Sequence, residues 1–198
     1  AGYRTVVAGK WQLHAAEHYP ERIRGSGTLP AAAGFDSWCL WQIERLGSRY
    51  WKPTINTNGT LEVGAEDEFG PDRYTAFLNQ FIKTHGSNDQ TARPFLAYYP
   101  MALPHNPFVP TPRSPDRDAK PDPKHFGAMI EYVDELVGRI VAQVEAAGVA
   151  ERTLILFTAD NGTNRKIRSK QRIAPGTEIT VRGGKGKTLL IGTHVPLI

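Results

Sequence analysis

The chain has 198 residues, 40% of them hydrophobic and 22% charged, with a formal net charge of +4. That length and balance suit one globular domain with a buried core, and no run approaches the ~20 consecutive apolar residues of a membrane-spanning helix. The single cysteine, Cys39 in the apolar context "SWCLWQ", excludes an intrachain disulfide and a cysteine zinc cluster, and reads as a small core residue.

Residues 4 to 9, "RTVVAG", form a β-rich run that predicts a strand ending at Lys10. The N-terminus lacks the charged start and apolar centre of a signal peptide. Beginning within one residue of a strand and ending on "HVPLI", the sequence reads as a piece of a longer protein. Residues 15 to 70 are punctuated by Pro and Gly and hold the aromatic cluster "GFDSWCLWQ" and a turn-like "NTNGT"; excursions or short edge strands are expected there. After Pro71, apolar residues at 74, 77, 78, 81 and 82 predict a helix closed by Gly86.

"PFLAYYP" predicts a strand at about 95 to 99 that leads into a Pro-rich loop carrying His105. Between 126 and 147 a stripe from Met129 through Val133, Leu136 and Ile140 to Val144 predicts the longest helix, stopped by Gly148. The continuous apolar run "TLILFT", 153 to 158, predicts a strand buried on both faces, as in a parallel sheet, and it stops at Asp160, Asn161 and Gly162. Strand, helix, strand in that order is a right-handed βαβ unit. The fold class is α/β with a mostly parallel sheet, in which ligands sit beyond the carboxyl ends of strands. Three strands ending at Lys10, at the His105 loop and at Asp160 with Asn161 would open onto one crevice.

Each polar group admits a plain and a chemical reading. "ADNG" is either a tight turn or a pair of hard oxygen ligands of the kind Ca²⁺ or Mg²⁺ takes, and "TNRKIRSKQR" after it shows no returning strand. His105, between Pro104 and Pro107, is a loop residue or a preorganised general acid. Lys10 is an ordinary surface lysine or an anion contact. The basic runs at 164 to 172 and 182 to 187 are a solvated loop or an anion-binding edge; no aromatic residues interleave them, which disfavours nucleic acid. "GGKGK" is not a phosphate loop of the Walker type, because Val181 stands where that pattern needs glycine, although Lys185 remains available as a charge.

Taken together these segments resemble the sulfatase family of the alkaline phosphatase superfamily. "GYRTVVAGKWQL" is similar to the family's GYxTxxxGKWHLG, "GFD" at 34 to 36 to the Gly-Phe-Asp after it, and "RPFLAYYPMALPHNPF" to its strand and Pro-His-x-Pro loop. "TLILFTADNG" and "RGGKGKTLLIGTHVPLI" resemble the later (S/A)DNG and GGKG segments. The resemblance implies a three-layer α/β/α, alkaline phosphatase-like fold, and a partial catalytic domain over 1–198 lacking the N-terminal nucleophile segment and a C-terminal part. It implies hydrolysis of a sulfate monoester, on a small molecule or a carbohydrate, by a formylglycine made in a C-x-(P/A)-S-x-R context in the missing upstream segment.

By the same resemblance, Asp160 and Asn161 ligate Ca²⁺ (or Mg²⁺), Lys10 and Lys185 hold sulfate oxygens, and His105 binds sulfate and protonates the departing alcohol. Where the family has a histidine base in GKWHLG this chain has Gln12, which takes no proton at neutral pH and is left as a substrate contact. Two residues on, His14 is the expected replacement, since a strand would point it to the same face. No formylglycine pattern and no paired upstream aspartates occur in these 198 residues, so the chain is expected to be inactive alone. No nucleic acid or membrane span is expected, and the family implies a periplasmic or secreted location. A phosphonate or phosphate ester hydrolase of the same superfamily, and a non-catalytic anion- or polysaccharide-binding homologue, are the competing readings.

Overall fold

The computed structural model describes residues 2–86 and 93–198, with the backbone alone at 171–173. Strand β1 (Arg4–Lys10) is the hub of a five-stranded sheet. It pairs in parallel with β2 (Ser37–Trp41) on one side and with β5 (Phe95–Tyr98) on the other. β2 continues antiparallel into β3 (Thr54–Thr57) and β4 (Thr60–Val63), giving the order β4-β3-β2-β1-β5. The turn-like "NTNGT" joins β3 to β4, with Asn58 and Gly59 both at positive φ, as a two-residue hairpin demands. The sheet is therefore mixed, with its parallel pairings concentrated around β1.

Helix α1 (Gly70–His85) carries the chain from the β4 edge across to β5 and ends at Gly86, where a Cβ would lie 2.6 Å from the Ile82 carbonyl oxygen. Helix α2 (Phe126–Ala146) follows the His105 loop and ends before Gly148, which adopts a positive φ. Alternation along β1 sends Val6 and Ala8 to one face, where they join Tyr74 and Leu78 of α1 and Met129 and Leu136 of α2 in the main core. Val7 points the other way and packs with Leu40, Trp11 and Ile43, with Phe35 from the preceding loop and Trp38 of β2 packed against them. Cys39 is 2% exposed, and burial pushes its thiol up to about 11, in keeping with an inert core residue. Among the described residues no helix is long and apolar enough to cross a membrane.

Two expectations fail. The run 153–158 is not a buried strand: Leu154 and Leu156 are 81% and 68% exposed, and Thr158 forms only an isolated antiparallel bridge to Leu197. A strand buried on both faces needs a neighbour to pair with. The parallel strand β5 instead lies outermost in the sheet, with Leu96 and Tyr98 half-exposed. The βαβ unit is therefore incomplete among the described residues. The second failure is the basic stretch after "ADNG", which does form strands: β6 (Arg168–Ala174) and β7 (Thr177–Arg182) make an antiparallel hairpin around Pro175–Gly176. The side chains described on them are mostly solvated and Lys170 pairs with Glu178, so no apolar alternation marked them.

The two long helices are tied together by charge as well as packing. Arg139 on α2 donates to Asp72 at the start of α1 (2.6 Å) and to Glu135 one turn back, while the Tyr132 hydroxyl donates to Asp72 at 2.8 Å. The bonds from Arg113 and Arg139 hold the Glu135 carboxyl down at about 2. We expect Leu136→Ala, at a fully buried site, to cost about 3 kcal/mol in urea unfolding. Arg139→Ala, at a partly exposed site, should cost only about 1 kcal/mol. Glu135 titrates lower folded than unfolded, so its contribution is present above the ordinary value of 4.5 and lost as pH falls toward 2. The Arg139→Ala deficit should shrink over that window.

Candidate functional site

The carboxyl ends of β1, β2 and β5 open on the same edge of the sheet. Lys10 is the last residue of β1, opposite Trp41 at the end of β2. Its amide donates to the Pro100 carbonyl at 2.8 Å, which pulls the segment after β5 onto the end of β1. Gly9 makes this approach possible: its φ is +124° and a Cβ there would lie 2.3 Å from the Pro100 oxygen. The loop that continues from Pro100 carries His105.

The "ADNG" and "GGKG" loops arrive at this edge by packing against one another. Lys185 donates its amide to the Thr163 carbonyl (3.0 Å) and its own carbonyl accepts from Arg165 Nε (2.8 Å). Gly162 donates to the Gly192 carbonyl (2.9 Å), and a Cβ at Gly183 would lie 2.1 Å from the Asn164 carbonyl oxygen, so glycines let three backbone segments meet. Asn164 Nδ2 also reaches Asn106 Oδ1 at 3.4 Å, joining this assembly to the His105 loop.

Electrostatics show which side chains converge. The half-buried Lys10 ammonium has its pKa lowered chiefly by burial; Asp160 opposes this, and Arg49 and Lys185 add to it. His105 is likewise lowered from its ordinary 6.5, first by burial, with the Asn106 carbonyl opposing and Lys185, Arg49 and Lys10 reinforcing. Lys10 and Lys185 thus lie within electrostatic reach of His105 and of one another, and Asp160 within reach of Lys10, although these residues are separated by up to 175 positions in the sequence. Arg49 belongs to the same group and was not anticipated; it sits in a stretch read as irregular, and its partner Asn106 is 57 residues away. A cavity of about 200 Å³ adjoins it, lined by Trp41, Leu46, Ser48, Arg49, Tyr50 and Pro107.

Other expected residues stand differently. β1 ends before Gln12, so strand alternation does not carry His14 to the same face. His14 places its Nδ1 3.2 Å from the Ile43 carbonyl and its Nε2 3.0 Å from the Gly25 carbonyl, so its ring sits between two acceptors and in the neutral form donates to one of them. Gln12 donates to Gln42 Oε1 at 3.3 Å, and Gln42, buried at a φ of +68°, donates in turn to His18 Nε2 at 3.4 Å. Asp160 is exposed and faces Lys10; Asn161 is half-buried beside it. Together they offer a carboxylate and an amide oxygen, the right kind of donor for Ca²⁺, but six to eight oxygens are needed. Among the described residues no group of three or more His, Cys, Asp or Glu is placed to hold an ion.

The family model for Sulfatase matches residues 1–198. The chain is 29% identical to arylsulfatase A of Homo sapiens, an alignment covering 100% of this chain and 40% of that protein. It is 26% identical to an ulvan-active sulfatase of Formosa agariphila, covering 81% of this chain and 33% of that one. The solved structure of Ps i-CgsB shares the fold with a TM-score of 0.70 at 21% identity, over 98% of this chain and 44% of the other. The chain spans a third to two fifths of the length of these curated relatives. With the match running along all 198 residues, the chain belongs to the sulfatase family.

Proposed function

We propose that this chain carries the sulfate-gripping part of a sulfatase centre, acting in a longer protein as a sulfuric ester hydrolase. The observation behind this reading is the convergence of Lys10, His105 and Lys185, with Arg49, at one sheet edge. Cations held close repel one another and disfavour protonation of the imidazole beside them, and an oxyanion between them relieves both effects. Lys10 and Lys185 would hold nonbridging sulfate oxygens, and His105 would give its proton to the departing alcohol. A fixed cluster of donors aimed at the transferring group favours the charge that develops there without reorganising. Asp160 and Asn161 would contribute two oxygens toward a Ca²⁺ ion, which when bound adds positive charge beside the sulfate.

A sulfated carbohydrate is the proposed substrate. One curated relative is named ulvan-active, one structural neighbour is complexed with k-i-k-neocarrahexaose, and another with D-glucosamine-2-N,6-O-disulfate. The formylglycine nucleophile would come from sequence outside these 198 residues, so the chain by itself should not turn over. Gln12 supports a second reading, in which the centre binds sulfate esters without completing a catalytic cycle.

Titration calorimetry with a sulfated monosaccharide should show Lys10→Ala and Lys185→Ala each weakening binding about tenfold, while Lys83→Ala, on an exposed face of α1, leaves it unchanged. Equal affinity in all four proteins would overturn the assignment. Binding should tighten as pH falls through the His105 value, which lies below 6.5, because the imidazolium adds a charge and a donor. In His105→Ala that pH dependence should flatten. The purified chain should release no 4-nitrophenol from 4-nitrophenyl sulfate, and steady release would refute the need for an outside nucleophile.

A further inference from the structure

Three consecutive residues, Arg49, Tyr50 and Trp51, all send their side chains to the backbone of the loop that carries His105. Arg49 Nη2 donates to the Asn106 carbonyl at 2.6 Å. The Tyr50 hydroxyl lies 2.8 Å from the Ala102 carbonyl and 2.5 Å from that of His105, sharing one proton between them. Trp51 Nε1 donates to the Pro110 carbonyl at 2.9 Å. The three anchors span the loop from residue 102 to residue 110.

The anchors are themselves fixed. Tyr50 is 2% exposed and stacks on Phe69 (ring centroids 5.9 Å apart), and Trp51 lies 4.8 Å from the same ring. The Arg49 guanidinium sits 4.5 Å over the Trp41 ring, at the carboxyl end of β2. Loop, sheet end and core are thereby tied together by side-chain contacts.

One carbonyl oxygen has chemical consequences. The Asn106 oxygen receives Arg49 Nη2 and also lies 2.8 Å from His105 Nδ1. A carbonyl only accepts, so Nδ1 must carry its proton. His105 Nε2 has no hydrogen-bond partner among the described residues and is the nitrogen left for proton exchange.

We propose that Arg49, Tyr50 and Trp51 are positioning residues that hold the His105 loop and fix its imidazole as the Nδ1–H tautomer, with Nε2 reserved for the reacting group. The purpose of this device rests on His105 acting as the acid, but the tautomer does not depend on that role. Arg49 adds a second effect, because its charge, with those of Lys10 and Lys185, disfavours the imidazolium and makes it a readier proton donor.

Nitrogen-15 NMR of the 198-residue chain above the His105 titration should show the Nδ1–H form, opposite to the preference of an unconstrained imidazole. A predominant Nε2–H form in the wild-type chain would overturn the proposal without any variant. Arg49→Gln should raise the His105 pKa by about 0.5 pH unit, and Arg49→Lys, which keeps the charge, should restore it, with the other five histidines as internal references. Tyr50→Phe, which keeps the ring packing and loses the donor, should mix the two tautomers. Wild-type tautomer and titration in both Arg49→Gln and Tyr50→Phe would equally sink the idea. Because these signals are read without sulfate present, they can fail or succeed independently of whether the chain binds a sulfate ester.

Discussion

The backbone contact between Gly9 and Pro100 is the constraint on which the edge depends. A strand flanked in parallel on both sides has its end fixed in three directions, and only a residue without a Cβ lets the chain leaving β5 close over it. The contact sets Lys10 at the lip and directs the following loop toward the "GGKG" segment. Any side chain at position 9 would push the loop outward and separate groups whose only means of acting together is their spacing.

The electrostatic character of the edge follows from the same crowding. Lys10 lies where burial and the neighbouring charges of Arg49 and Lys185 disfavour ionisation, with Asp160 the compensating carboxylate identified beside it, and burial likewise lowers Arg49. A folded protein tolerates such frustration where it serves binding. Stability is supplied elsewhere, by the Tyr74–Leu78–Met129–Leu136 core and the Asp72–Arg139–Glu135 linkage between the helices. The division leaves the edge free to be poorly satisfied without endangering the fold.

α1 and α2 were legible in the sequence through their 3.6-residue apolar period, β1 as a short β-rich run and β5 as a compact run between Pro94 and Pro100. The β3–β4 turn was legible because Asn-Gly has few other uses. The hairpin β6–β7 was missed since its strands are solvated and charged, although Pro175–Gly176 is a turn signal in its own right. The run 153–158 was misread because apolar continuity records what a segment would bury, not whether a neighbour is there to bury it. At the site, Lys10, His105, Asp160 and Lys185 stood out through motif resemblance. Arg49 and Tyr50 did not, because a side chain reaching a main-chain oxygen more than fifty residues away leaves no local pattern. His14 was singled out by its spacing from Gln12, and the structure adds what spacing could not show, that its ring lies between two backbone carbonyls.

The outer position of β5 has one more implication. Its four residues, Phe-Leu-Ala-Tyr, include no lysine, no inward charge and no bulge, which are the usual guards of a free ladder. Pro94 and Pro100 merely bracket it. Together with bare Leu154 and Leu156, this row of unprotected amides makes the chain, taken alone, prone to stick to other extended polypeptide, so its solubility would be limited by four backbone units rather than by its favourable overall charge.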